Sequence, residues 1–120
     1  MKQTGFTFIE LMVSLLIISV LASLVVPDLR NIRRRTFDVS AQNFIRIVAT
    51  KLEDYYFEHL RYFSCQNQEC NTFLRPLTVP TELELVVRGD ASGYQISGRH
   101  RGGSGKTFVF DSERGGFVMD

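Results

Sequence analysis

Four groupings in this 120-residue sequence have residue types and spacings that could do chemistry. Cys65 and Cys70 stand five positions apart. They can close one small disulfide ring, remain two thiols, or begin a metal site whose second Cys or His pair is missing from the spacing. His59 and His100 have no carboxylate or cysteine arranged around them and read as structural or exposed. The run His100-Arg101-Gly102-Gly103-Ser104-Gly105-Lys106-Thr107 has the composition of a phosphate-cradling loop. That loop needs Gly where His100 stands, a strand before it and a helix after it. Here a strand pattern follows, so no helix N-terminus is available to face a phosphate. Arg99, Arg101 and Lys106 around the same glycine turn could instead contact DNA phosphates, against the plainer reading of a hairpin tip kept soluble by charge. The fourth grouping is Glu10, a carboxylate inside an apolar run. No catalytic residue, cofactor or metal centre is expected, and the chain does not read as an enzyme.

Glu10 leads to the element that must position it. Between Phe6 and Val26, 16 of 21 residues are apolar and Glu10 is the sole charge. From Leu11 to Val26 only Ser14, Ser19 and Ser23 are polar. As a helix the run spans roughly 32 Å, close to the ~30 Å hydrocarbon core of a bilayer. A cleaved secretory signal, with Leu21-Ala22-Ser23 as a faint small-residue site, is the competing reading. Against it stand the minimal charged leader and Glu10 itself. A carboxylate there is tolerated when it snorkels to water or finds a partner. No Lys or Arg lies within one helical turn, so a charged partner must come from elsewhere, such as a second chain.

Lys2-Gln3-Thr4-Gly5 followed by Phe6-Thr7-Phe8-Ile9-Glu10-Leu11 resembles the type IV prepilin signature. Leader, Gly, Phe, Glu and apolar span occur together, and Pro27 stands where such proteins commonly carry a helix-bending proline. The resemblance covers roughly residues 2–30, and Phe8 replaces the more usual Leu. It implies cleavage between Gly5 and Phe6 by a prepilin peptidase and N-methylation of the new Phe6 amine. It further implies pairing of Glu10 with the Phe6 amine of a neighbouring subunit. An amine and a carboxylate, each expensive in hydrocarbon, become tolerable as a pair. The implied partners are other pilin subunits, an inner-membrane assembly platform and the membrane. The implied location is the inner membrane, single-pass with the C-terminal head outside the cytoplasm, and then a periplasmic or extracellular filament. The expected function is a structural subunit of a type IV pilus or pilus-like filament, leaning towards a minor or small pilin. The alternatives are a DNA-binding minor pilin for natural transformation and a type II secretion pseudopilin.

Arg30, Arg33, Arg34 and Arg35 follow the span, whereas only Lys2 precedes it. Counted alone, those charges place residues 28–120 in the cytoplasm; the resemblance places them outside, as does the oxidising compartment that suits two cysteines. The arginines then form a headgroup-binding collar, pair with Asp28 and Asp38, or make a solvated face. Further on, Phe37, Ala41, Phe44, Ile45, Val48, Leu52, Tyr55, Tyr56, Leu60 and Phe63 recur at steps mostly of three and four, one apolar helical face. Pro27 removes a backbone donor, so a kink or local melting is expected there.

After Phe63 the pattern changes. Ser64 to Thr81 is polar and holds both cysteines with Pro76 and Pro80. Leu83, Leu85 and Val87 then alternate with polar residues, as do Tyr94 and Ile96, then Phe108 and Phe110, and Phe117 and Met119 flank Val118. Eight of the nine glycines lie after Arg88, mostly between these runs. The expected architecture is α+β and pilin-like: a long N-terminal helix, its first half membrane-spanning, packed on a small antiparallel sheet of about four strands. The expected divisions are a leader over 1–5, a membrane and polymerisation helix over 6–26, an amphipathic continuation over 27–63 and a head over 64–120. The length bounds the chain to one domain. Its 44% hydrophobic content, 22% charged content and +1 net charge exclude a bulk nucleic-acid binder and an acidic disordered tail.

Overall fold

A computed structural model of the chain describes residues 5–118. Leader positions 1–4, with Lys2, and Met119 of the last expected strand lie outside the described residues. The chain divides into two compact units, Met1–Arg33 and Arg34–Asp120. One helix, α1 (Phe8–His59), contributes to both.

In the first unit α1 carries exposed apolar side chains on every face, from Phe8 through Ile32. It is long and apolar enough to cross a membrane. Two of its three serines turn their hydroxyls back onto the helix. Ser19 Oγ donates to the Leu15 carbonyl and Ser23 Oγ to the Val20 carbonyl, both at 2.7 Å, so neither hydroxyl needs water. The helix continues without a break through Pro27.

In the second unit the helix becomes one-sided. Ala41, Ile45, Val48, Ala49 and Leu52 are buried, spaced so that one stripe faces the sheet. The stripe packs with Phe63, Leu74, Val79, Leu83, Leu85, Val87, Tyr94 and Ile96 into one core. The helix ends at His59, four residues before the end of its apolar periodicity at Phe63. Leu60 donates its N–H to the Tyr56 carbonyl at 2.8 Å but takes a left-handed φ of 56°, which stops the helix. Leu60, read from its spacing as part of the stripe, is consequently 72% exposed.

The turn redirects the chain so that Phe63 enters the core. The sheet has five antiparallel strands in sequence order: β1 (Cys65–Gln66), β2 (Leu83–Gly89), β3 (Tyr94–His100), β4 (Phe108–Asp111) and β5 (Gly116–Val118). The last four occupy the alternating runs; β1 is additional to the four expected. It pairs Cys65 with Val87 and Gln66 with Val86. Gly89 makes this approach possible, because a Cβ there would meet the Phe63 carbonyl and the Tyr62 side chain. Ser64 Oγ locks the contact, accepting from Gly89 N–H at 2.9 Å and donating to the Gly89 carbonyl at 3.0 Å.

The polar stretch before β2 is ordered by its amides. A 3-10 turn (Asn67–Cys70) leads into the short helix α2 (Asn71–Leu74). Asn67 Oδ1 accepts from Leu85 N–H at 3.0 Å and Asn71 Oδ1 from Val79 N–H at 2.6 Å. Gln68 donates to the Val79 carbonyl at 3.1 Å. Cys65 and Cys70 are disulfide-bonded and buried, tying β1 to the end of the 3-10 turn.

Candidate functional site

The N-terminal segment supplies the chemistry that the sequence singles out. Gly5 and Phe6 precede the helix, and Phe6 is 86% exposed. Thr7 and Glu10 form a reciprocal cap: Thr7 N–H donates to Glu10 Oε2 and Glu10 N–H donates to Thr7 Oγ1, both at 3.3 Å. Two donors left open at a helix start are thereby satisfied. A carboxylate in the first turn also meets the positive end of the helix dipole. Glu10 thus has a partner in its own chain, the backbone, besides the water or the second-chain cation that the sequence suggests. The signal was legible as Thr7-x-x-Glu10 ahead of an apolar run. Chemically, this is an exposed carboxylate acceptor three residues after Thr7 and four after Phe6, held by bonds long enough to be exchanged for a stronger donor.

The basic hairpin tip is arranged differently from a free cationic patch. Arg99 Nη2 lies 2.6 Å from Glu84 Oε2, and Arg101 Nε lies 3.5 Å from Glu84 Oε1, so one carboxylate on β2 serves both. No ion pair includes Lys106 among the described residues. His100 is buried and stacked on Phe37, with ring centroids 4.5 Å apart. Its Nδ1 accepts from Gly102 N–H at 3.0 Å, which puts the proton of the neutral ring on Nε2, 3.7 Å from Glu82. Asp38 of α1 then clasps the loop, accepting from Ser104 N–H at 3.0 Å and Ser104 Oγ at 2.6 Å. A Cβ at Gly103 would collide with that carboxylate. The turn between β3 and β4 is therefore fastened to the helix, and its N–H groups from Arg101 to Ser104 are occupied rather than aimed at an anion.

Elsewhere the titratable groups serve the fold. Three donors, Ser92 N–H, Gly93 N–H and Ser92 Oγ, converge on Asp90 Oδ1 at 2.7–2.8 Å. The Gly93 and Ser92 N–H groups hold its carboxyl below the usual value. Burial pushes the Tyr94 phenol up to about 12, with the Glu53 carboxylate adding to the shift. Tyr62 moves in the same direction for the same causes and donates to Glu53 Oε2 at 3.4 Å. Among the described residues, no three His, Cys, Asp or Glu side chains cluster as a metal site requires.

Residues 1–26 match the family model described as the prokaryotic N-terminal methylation motif. The chain is pilin- or pseudopilin-like. It is 34% identical over 93 residues to the type II secretion system core protein G of Escherichia coli, covering 78% of this chain and 61% of that protein. It is 33% identical over 81 residues to the type II secretion system core protein G of Dickeya chrysanthemi, covering 68% of this chain and 52% of that one. The type IV wide pilus major component PilA4 of Thermus thermophilus is 29% identical over 101 residues, 83% of this chain and 76% of that protein. The pilin-like chain thus spans less than two thirds of the two secretion proteins. The motif falls on the segment that carries Gly5, Phe6, Thr7 and Glu10.

Proposed function

We propose that this chain is a structural, non-catalytic subunit of a type IV pilus or of a type II secretion pseudopilus. A prepilin peptidase cuts between Gly5 and Phe6, and the Phe6 amine is methylated. The chain waits in the inner membrane with α1 spanning it and residues 28–120 outside the cytoplasm. An assembly platform then passes it into a filament with other pilin subunits. The observation that carries this reading is the exposed Glu10 carboxylate at the head of a helix whose apolar side chains are exposed through Ile32. Such a surface must be covered by lipid or by like helices. In the filament core the carboxylate exchanges the Thr7 N–H for the methylated amine of a neighbour, replacing a long neutral hydrogen bond with a charge-assisted one. The named relatives, two secretion core proteins and one pilus component, support the same role.

The deciding experiment is the mass of the N-terminal peptide from protein recovered from its native membrane and from sheared surface material. N-methylated Phe6 is expected in the membrane fraction for either filament, and in the sheared fraction as well for a surface pilus. Protein that retains Met1 in both refutes the reading and leaves a simple anchor.

A further inference from the structure

Arg30, Arg33, Arg34 and Arg35 all lie on α1 with exposed side chains, and among the described residues none is in an ion pair. Of the two acids that could neutralise them, Asp38 is taken by Ser104, and no ion pair joins Asp28 to any of the four. Positions 30, 33 and 34 are three and four residues apart, which makes them neighbours on a helix. Like charges so spaced oppose one another and the helix that carries them. The isolated chain therefore presents a concentrated, unneutralised cationic face.

We propose that these arginines bind the phosphates of anionic glycerophospholipids in the leaflet on the side of residues 28–120, fixing the depth of the span before assembly. This rests on the membrane-anchored state proposed above. The distances fit. The apolar run counted above ends at Val26, and at ~1.5 Å per residue Arg30 lies about 6 Å and Arg33 about 10 Å further along the helix. The headgroup layer occupies roughly 5–7 Å beyond the hydrocarbon. An arginine stem can fold back along the helix towards that layer while its guanidinium stays polar. The guanidinium fork matches a phosphate with two parallel N–H donors, and anionic headgroups relieve the repulsion along the face. Withdrawing the helix must break these contacts, so the collar opposes early escape of the subunit.

The test uses the full chain reconstituted in phosphatidylcholine vesicles containing phosphatidylglycerol, with spin-labelled lipids reporting the motionally restricted shell around the protein. Spin-labelled phosphatidylglycerol is expected in that shell on the order of fivefold in excess over phosphatidylcholine. The excess should fall towards unity in Arg30→Gln/Arg33→Gln/Arg34→Gln, while the restricted component itself persists. A restricted shell with no preference, or one whose preference survives the triple substitution, overturns the proposal and leaves the membrane-spanning reading intact. Absence of any restricted shell overturns the spanning reading itself. Inorganic phosphate at matched ionic strength should compete no better than sodium chloride. Selective competition by phosphate would assign the face to free anions and overturn the lipid assignment. So would an absent preference together with loss of chain–chain cross-links in the variant, which would assign the face to a second copy.

Discussion

Thr7 and Glu10 serve two purposes that can be separated by substitution. Glu10→Gln keeps a side-chain oxygen in the position that accepts from Thr7 N–H, since Gln occupies the same place in capping boxes, but it removes the charge. Thr7→Val removes the hydroxyl that accepts from Glu10 N–H and keeps the charge. Both hydrogen bonds are 3.3 Å long, so the cap sits at the weak end of its range, about 0.5–1 kcal/mol for the helix start. A carboxylate paired with an amine inside a filament core is worth more, because removing one partner strands the other and costs about 3–5 kcal/mol. Glu10→Gln should therefore lower incorporation on the order of a hundredfold or more, with helix content and N-terminal processing unchanged. Thr7→Val should lower it only about two- to fivefold. The assay is the fraction of processed subunit in sheared filaments when each variant is the only source of the protein, with N-terminal mass spectrometry and circular dichroism as controls. Equal defects in the two variants, or normal incorporation of Glu10→Gln, would refute a charge-based exchange at Glu10.

Asp38→Ala removes two hydrogen bonds that hold the β3–β4 turn to α1, and should destabilise the second unit by about 1–2 kcal/mol. Thermal unfolding measures the loss, and faster hydrogen exchange at Ser104 N–H locates it; unchanged exchange there would contradict the clasp. Tyr94 stays neutral in the folded chain to about 12, whereas an unfolded phenol ionises near 10. Its contribution is whole below pH 10 and falls away as pH rises towards 12, on the order of 2 kcal/mol. Denaturant midpoints of wild type should therefore drop more steeply over that window than those of Tyr94→Phe, and parallel curves would refute the assignment. Reducing the Cys65–Cys70 bridge, or replacing it in Cys65→Ser/Cys70→Ser, frees a six-residue loop and should cost about 2 kcal/mol of stability without loss of β2–β4. Unfolding curves with and without reductant check that figure.

What could be read in advance followed from repetition along the chain. The apolar run, the helical stripe through Ala41, Ile45, Val48 and Leu52, and the alternation in β2 and β3 each repeat a local rule often enough to fix an element. What could not be read depends on single long-range contacts. β1 is two residues long and exists because Gly89 lets Tyr62 and Phe63 come close enough for Cys65 to pair with Val87. The end of α1 is set by one left-handed Leu60, a residue whose type gives no warning of that conformation. The hairpin tip shows the same limit in charges. Arg99, His100 and Arg101 form a cationic cluster in sequence, but strand pairing brings Glu84 opposite Arg99 and places Leu83 opposite His100. Glu84 then meets both arginines and Glu82 faces His100. A charge count along the chain sees only neighbours in sequence, whereas the antiparallel register matches Arg99, His100 and Arg101 with acids 15 residues or more away. The arginines at 30–35 differ because they sit on α1 and none of them is in an ion pair among the described residues, so the cation count applies there without correction. That contrast is why the arginines at 30–35, rather than the glycine-rich turn, are the place to look for an anionic partner.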